Sequence, residues 1–410
     1  MLKMKAGNRP LMPVAEALAA VLDGAATLPE EIVALEDAFR RTLSRDVASL
    51  RTQPPDAMSA MDGYAVRLAD AKADARLKVI GESAAGKPFQ QPVGPGEAVR
   101  IFTGGVVPPG AETVVIQEDT GREGDTVILA ETMLTPRHIR RAGSDFREGD
   151  VLLRQGTRLT DRDLSLAASM NHPRLPVHRR PRVAILATGD ELVMPGSTPG
   201  PGQIVFSNAY ALAALARAEG AEVIDLGIAR DTIEDTARAV RQARDFKADI
   251  LVSTGGASVG DHDVVKDALE SEGVAMSFWK IALRPGKPMM HGRLGPMKVI
   301  GLPGNPVSSY VCGFIFMVPL IRAMSGCTVV HHLLEAAALG VALPQNDHRQ
   351  EYLRARCGLR EDGMPVAIPV DHQDSSLLGN LSVADVLIVR PPHAPATPPG
   401  ARCTIIRLPA

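Results

Sequence analysis

Between residues 181 and 310, three apolar runs each stop at a glycine-rich turn that carries polar or acidic residues. They read PRVAILATGDELVMPG, DILVSTGGASVGDHD and KVIGLPGNPVSSY. Runs of four to eight Val, Ile, Leu and Ala residues with no polar alternation are expected of strands covered on both faces, as in parallel sheets. Helical patterns lie between them. One starts near Ser207-Asn208 and ends at Gly220; another follows Asp231 and begins with the capping pattern Thr232-x-x-Asp235. An open α/β sheet follows from this alternation, and the crevice of such a sheet lies at the carboxyl ends of its strands.

The flanking sequence differs in kind. Pro13 with VAEALAAVL reads as a helix with proline in its first turn, and a second helix is expected over 36–43. From 52 to 150 short β-type runs alternate with Gly/Pro turns. Helical patterning returns over 151–177, with Thr160 or Asp161 as N-cap. Short strands resume after His332, and a β-barrel or sandwich fits them. Breaks in character thus fall near 50, 150, 180 and 330.

Composition narrows the chemistry. A net charge of -2 gives no broad grip on nucleic acid. Cys312, Cys327, Cys357 and Cys403 have no metal-site spacing, so a reducing cytoplasm is the expected setting. The longest apolar run, 311–321, is short for a membrane span and reads as a buried helix.

The strongest local signal is GGASVGDHD, 255–263. Gly255, Gly256 and Gly260 would let a phosphate approach backbone N–H groups, with Ser258 beside it. Asp261 and Asp263 would repel a bare phosphate, which points to Mg²⁺; the alternative is a tight turn with a capping Asp. Glu191, in TGDEL, ends the first strand. Pro303, Gly304, Asn305 and Pro306 form a stiff turn, with Asn305 as N-cap and Pro306 at the first helical position; Pro319 is expected to end or kink that helix. Arg284 and Lys287 lie in a proline-stiffened loop suited to an oxyanion. GESAAGKP, 81–88, imitates a P-loop, but Pro88 replaces the metal-binding hydroxyl and the context is β, so it reads as a decoy.

Together SAMDGYAV, RIFTGG, IRRAGSD, ATGDEL, LGIARD, GGASVGDHD, RPGKP and GLPGNPVS resemble, in order and spacing, the MoeA family of molybdopterin molybdenumtransferases. The resemblance implies insertion of molybdate into adenylylated molybdopterin with release of AMP, assisted by Mg²⁺. It also implies an elongated four-domain homodimer, with a discontinuous mixed α/β domain (1–50 plus 150–179) around an inserted β domain (51–149), an α/β domain (180–329) and a C-terminal β-barrel domain (330–410), and, as partners, the molybdopterin adenylyltransferase and downstream cofactor-handling proteins. It carries catalytic roles onto Asp62, Glu191, Asp231 and Asp263, the last three also as metal ligands. Substrate contacts fall on Thr103, Asp145, Pro303 and Pro306, and molybdate or phosphate contacts on Lys280, Arg284 and Lys287. In such dimers the SAMDGYA segment of one subunit approaches the sheet of the other. Arg284 departs from the commoner Lys, and QDSSLLGN, 373–380, from a Gly-Ser-Gly form. The rival readings are a molybdopterin adenylyltransferase, a CinA-like nucleotide pyrophosphatase and a non-catalytic scaffold.

Overall fold

A computed structural model describes residues 11–255 and 264–409. Its centre is a six-stranded sheet in the order Glu222–Ala229, Arg182–Thr188, Ile250–Thr254, Met297–Leu302, Pro288–Leu294, Ala275–Lys280. The first four strands are parallel and the last two antiparallel. Side chains alternate across the pleat. Val183, Ile185 and Ala187 face helices Asn208–Ala218 and Pro306–Cys312; Ala184 and Leu186 face helix Ile233–Asp245. Both faces are therefore dry, which is why these strands carry no polar alternation.

Helix Val14–Leu22 adds Val14, Ala17 and Val21 to the first of these cores. The buried Lys298 donates to the carbonyls of Val21 and Asp23, holding the carboxyl end of that helix against the sheet. Residues 38–47 and 146–177 share another core, built on Leu43, Phe146, Leu159 and Leu175. Here Thr160 is the N-cap, in a complete capping box with Asp163. The helix expected over 36–43 is only a 3₁₀ turn, Leu35–Asp37. Tertiary pairing of Leu43 with Val177 and of Thr42 with Arg158 draws the following residues into extended bridges instead.

Between these segments lies a mixed six-stranded sheet, in the order Thr113–Ile116, Gly63–Val66, Glu97–Ile101, Arg76–Ser83, Thr126–Leu129, Thr120–Glu123. The P-loop-like segment is a strand end followed by a tight turn, with Ala84 and Lys87 exchanging backbone hydrogen bonds. At the other end of the chain five strands close into a barrel: Gln350–Leu359, Pro365–Pro369, Glu335–Leu339, Arg402–Arg407 and Val386–Arg390, which pairs back onto the first. Strand Leu283–Arg284 adds to Gln350–Leu359, tying the barrel to the central unit.

Pro319 does not end its helix. Helix Pro306–Cys312 runs through a π-helical segment, Gly313–Met317, into Val318–Met324. The wider turn lets the chain pass a residue that has no N–H to donate. The whole span Pro306–Met324 is 19 residues long and apolar enough to cross a membrane, yet 83% of its most apolar stretch is buried inside the fold.

Candidate functional site

Register places four turns along one edge. Thr188 pairs with Ala229, Ala187 with Thr254 and Thr254 with Leu302, so Gly189–Glu191, Arg230–Asp231, Gly255 and Pro303–Asn305 all leave the sheet at its carboxyl side. Their approach is close. A Cβ on Gly255 would stand 2.2 Å from the carbonyl oxygen of Thr188, and φ there is +91°. A Cβ on Gly304 would stand 3.6 Å from the Gly255 Cα. Glycine at 255 is thus demanded by both sterics and backbone conformation.

Acidic groups gather on this edge. The carboxylate of Glu191 folds back over its own turn, where a Cβ on Gly189 would lie 2.5 Å from Oε2. The Asp231 N–H donates to Asp190 Oδ1 at 3.3 Å. Partial desolvation raises the Asp231 carboxyl above its ordinary range, and the charges of Asp190 and Glu191 add to this. Such repulsion is what a cation would relieve. Among the described residues no three His, Cys, Asp or Glu side chains form a metal-holding group. Gly256, Ser258, Gly260 and Asp263 lie outside the described residues.

The helix after Pro303 begins as expected, with Asn305 at the N-cap and Pro306 at N1. Asn305 makes no capping bond. Its Nδ2 donates instead to Ser375 Oγ at 3.0 Å, and the Val307 N–H donates to the Ser375 carbonyl at 3.0 Å. A loop of the barrel therefore closes one side of the strand-end edge, and Asn208 donates to the Gly304 carbonyl from the other.

The cations divide. Lys280 and Lys287 are exposed. Arg284 is bound to the buried Glu351, lies 3.6 Å from Asp347 and donates to Asn346 Oδ1 at 3.3 Å, while its buried Nε has no partner. Gly286, two residues on, packs on Cys312, which brings the RPGKP loop against the helix that starts at Pro306. Arg284, Glu351, Arg354, Gln373 and Arg390 line a cavity of about 360 Å³. Arg354 is 1% exposed; it donates to the Asp374 carbonyl at 3.1 Å and keeps its Nε unpartnered. Sequence reasoning missed Arg354 and Glu351, because nothing local links residues 350–354 to residue 284; Ser375 lies in QDSSLLGN, whose departure from the Gly-Ser-Gly form left its role open.

Asp62, Thr103 and Asp145 sit elsewhere in the chain. Asp62 Oδ1 accepts from the N–H and the hydroxyl of Thr103, at 2.7 and 2.8 Å. These bonds hold its carboxyl below the usual range, with a smaller contribution from Arg100. The Asp145 N–H donates to the Gln53 carbonyl at 3.1 Å. Among the described residues, no polar contact of these three reaches a strand-end residue.

The sheet with turns at its carboxyl edge, the inserted β unit and the terminal barrel together match the three family models of the molybdopterin-binding MoeA class. Its central part matches the family model described as a probable molybdopterin binding domain, over residues 184–323. Residues 12–171 match the MoeA N-terminal region (domain I and II), and 336–408 the MoeA C-terminal region (domain IV). The molybdopterin molybdenumtransferase of Haemophilus influenzae is 40% identical over 297 residues, covering 72% of this chain and 73% of that protein. That of Bacillus subtilis is 34% identical over 393 residues, covering 94% and 91%. Among solved structures, a molybdopterin biosynthesis MoeA protein from Pyrococcus horikosii superposes with a TM-score of 0.82 at 28% identity, covering 98% of this chain and all of that one. The chain belongs to the MoeA family of molybdopterin molybdenumtransferases, transferases of molybdenum cofactor biosynthesis.

Proposed function

We propose that this chain inserts molybdenum from molybdate into molybdopterin presented as its adenylylated form, and releases AMP. The convergence of Gly255, Gly304, Glu191 and Asp231 on one sheet edge carries this reading, because a nucleotide-capped phosphate needs open backbone N–H groups and a compensated acidic wall. Glu191, Asp231 and Asp263 would hold Mg²⁺, which supplies charge neutralisation at the phosphates when bound. Lys280 and Lys287 attract the oxyanion. Arg284 and Arg354 line the cavity at the barrel junction and add positive charge beside it. The sulfur ligands of molybdenum come from the pterin dithiolene, so the protein needs no cysteine cluster.

Asp62 and Thr103, beside the ends of strands Gly63–Val66 and Glu97–Ile101, and Asp145, in a turn next to Gln53, act on the edge of a second copy. The working form is then a homodimer. Its partners are the enzyme that adenylylates molybdopterin and the proteins that receive the finished cofactor. Its setting is a cytoplasm, which keeps the four cysteines as thiols. An adenylyltransferase or a CinA-like pyrophosphatase is the weaker reading, because the matches to the N-terminal and C-terminal family regions lie outside the α/β unit.

The test is AMP release from purified adenylylated molybdopterin, with and without molybdate, repeated with tungstate. Molybdate-dependent release in the wild type, and its loss in Glu191→Ala and Asp263→Ala, is expected. Release that ignores molybdate, or survives both substitutions, refutes the assignment.

A further inference from the structure

Asp62 is braced by more than Thr103. Its carbonyl accepts from the Gln117 N–H at 3.0 Å, and the next carbonyl, that of Gly63, accepts from Arg100 Nη1 at 3.1 Å. Arg100 Nη2 donates to Gln117 Oε1 at 2.6 Å, which closes a ring of contacts around the Asp62–Gly63 peptide. The guanidinium carbon lies 5.1 Å from the centre of the Tyr64 ring and 4.8 Å from that of Phe102. Phe102 is the residue before Thr103, so one guanidinium fixes both the aspartate and its hydroxyl partner. Gly63 leaves no slack, because a Cβ there would stand 2.0 Å from the Val115 carbonyl oxygen.

We infer that Arg100 is a positioning residue for Asp62: it touches no substrate, but its fork, bonded to Gly63 and Gln117 and stacked on Phe102, holds the Asp62 carboxylate and its Thr103 partner in one place. The inference rests on the reading of Asp62 as a residue that acts on the bound adenylylated pterin. Arginine suits the task better than lysine, since a planar fork can serve the Gly63 carbonyl and the Gln117 amide at once while stacking on two rings.

A double-mutant cycle tests it, with molybdate-dependent AMP release as the readout and thermal melting as the control on folding. Arg100→Met keeps the packing between the rings and removes the donors. It is expected to lower kcat roughly tenfold with KM little changed, as loss of a charge-assisted brace would. In an Asp62→Asn background the same change should cost nothing further, because its only route to the reaction has gone. Arg100→Lys, which retains the charge, covers the case in which the methionine variant does not fold; it too should lower kcat, and lose that effect beside Asp62→Asn. An additive loss in the double variant, or wild-type kcat in the variants at 100, overturns the role of Arg100. Wild-type turnover by Asp62→Asn alone overturns the reading of Asp62, a result distinct from either.

Discussion

Asn305 Nδ2 donates to Ser375 Oγ at 3.0 Å, across 70 residues of chain and from the central unit to the barrel. The side chain that would ordinarily cap its own helix is spent on holding another unit against the strand ends. Ser375→Ala keeps the bond from the Val307 N–H to the Ser375 carbonyl and removes only the side-chain tie. The expected loss is about 0.5–1.5 kcal/mol, read as a lower kcat/KM or a lower melting temperature. Asn305→Ala should show the same loss, and the double variant no more than either single one.

Glycine is required at 255 and not at 304. Alanine at 255 places a methyl 2.2 Å from a backbone oxygen, at a φ of +91°. A destabilisation of about 1–3 kcal/mol is expected, with loss of turnover as the loop shifts. Alanine at 304 meets only ordinary van der Waals contact at 3.6 Å and should melt close to wild type. Equal melting temperatures for the two variants would contradict the packing described.

Asp231 makes stability depend on pH in an unusual direction for a carboxyl. Its pKa is raised in the fold, so the native state holds the proton more tightly than the unfolded chain does. Stability from this group is present at low pH and falls as pH rises through the folded value. Asp231→Asn is therefore expected to raise the melting temperature at neutral pH while abolishing turnover. Added Mg²⁺ should raise the melting temperature of the wild type more than that of the variant. A lower melting point for the variant at neutral pH would contradict the carboxylate repulsion.

His332 works in the opposite sense. Its ring lies 3.9 Å from that of Phe314, and its Nε2 is 2.7 Å from the Phe314 carbonyl. Burial lowers its pKa to about 4. The neutral ring stabilises the fold above the unfolded value near 6.5, and that stability is lost as pH falls from 6.5 toward 4. The loss is about 3–4 kcal/mol at most, at about 1.4 kcal/mol per pH unit. The buried His291, also lowered to about 4, titrates in the same window. His332→Gln should remove part of the acid dependence of the melting temperature and leave the remainder to His291.

What a run of residues says about itself was readable from the chain alone. The parallel strands, the turns at their ends, a cap at Thr160 or Asp161 and the false P-loop near Lys87 all follow from periodicity and turn chemistry within a few residues. The MoeA resemblance likewise rested on motifs in order. The limits appear at Pro319, expected to end or kink its helix, where a π-helical segment carries the helix on, and over 36–43, where bridges to Arg158 and Val177 replaced a helix. Tertiary structure alone decided that Ser375 meets Asn305, that Glu351 occupies Arg284, and that Arg100 braces Asp62. The physical reason is one of range. Backbone preference and hydrophobic period act over one or two turns of chain, whereas a carboxylate's charge balance depends on whichever side chains packing brings within a few ångströms.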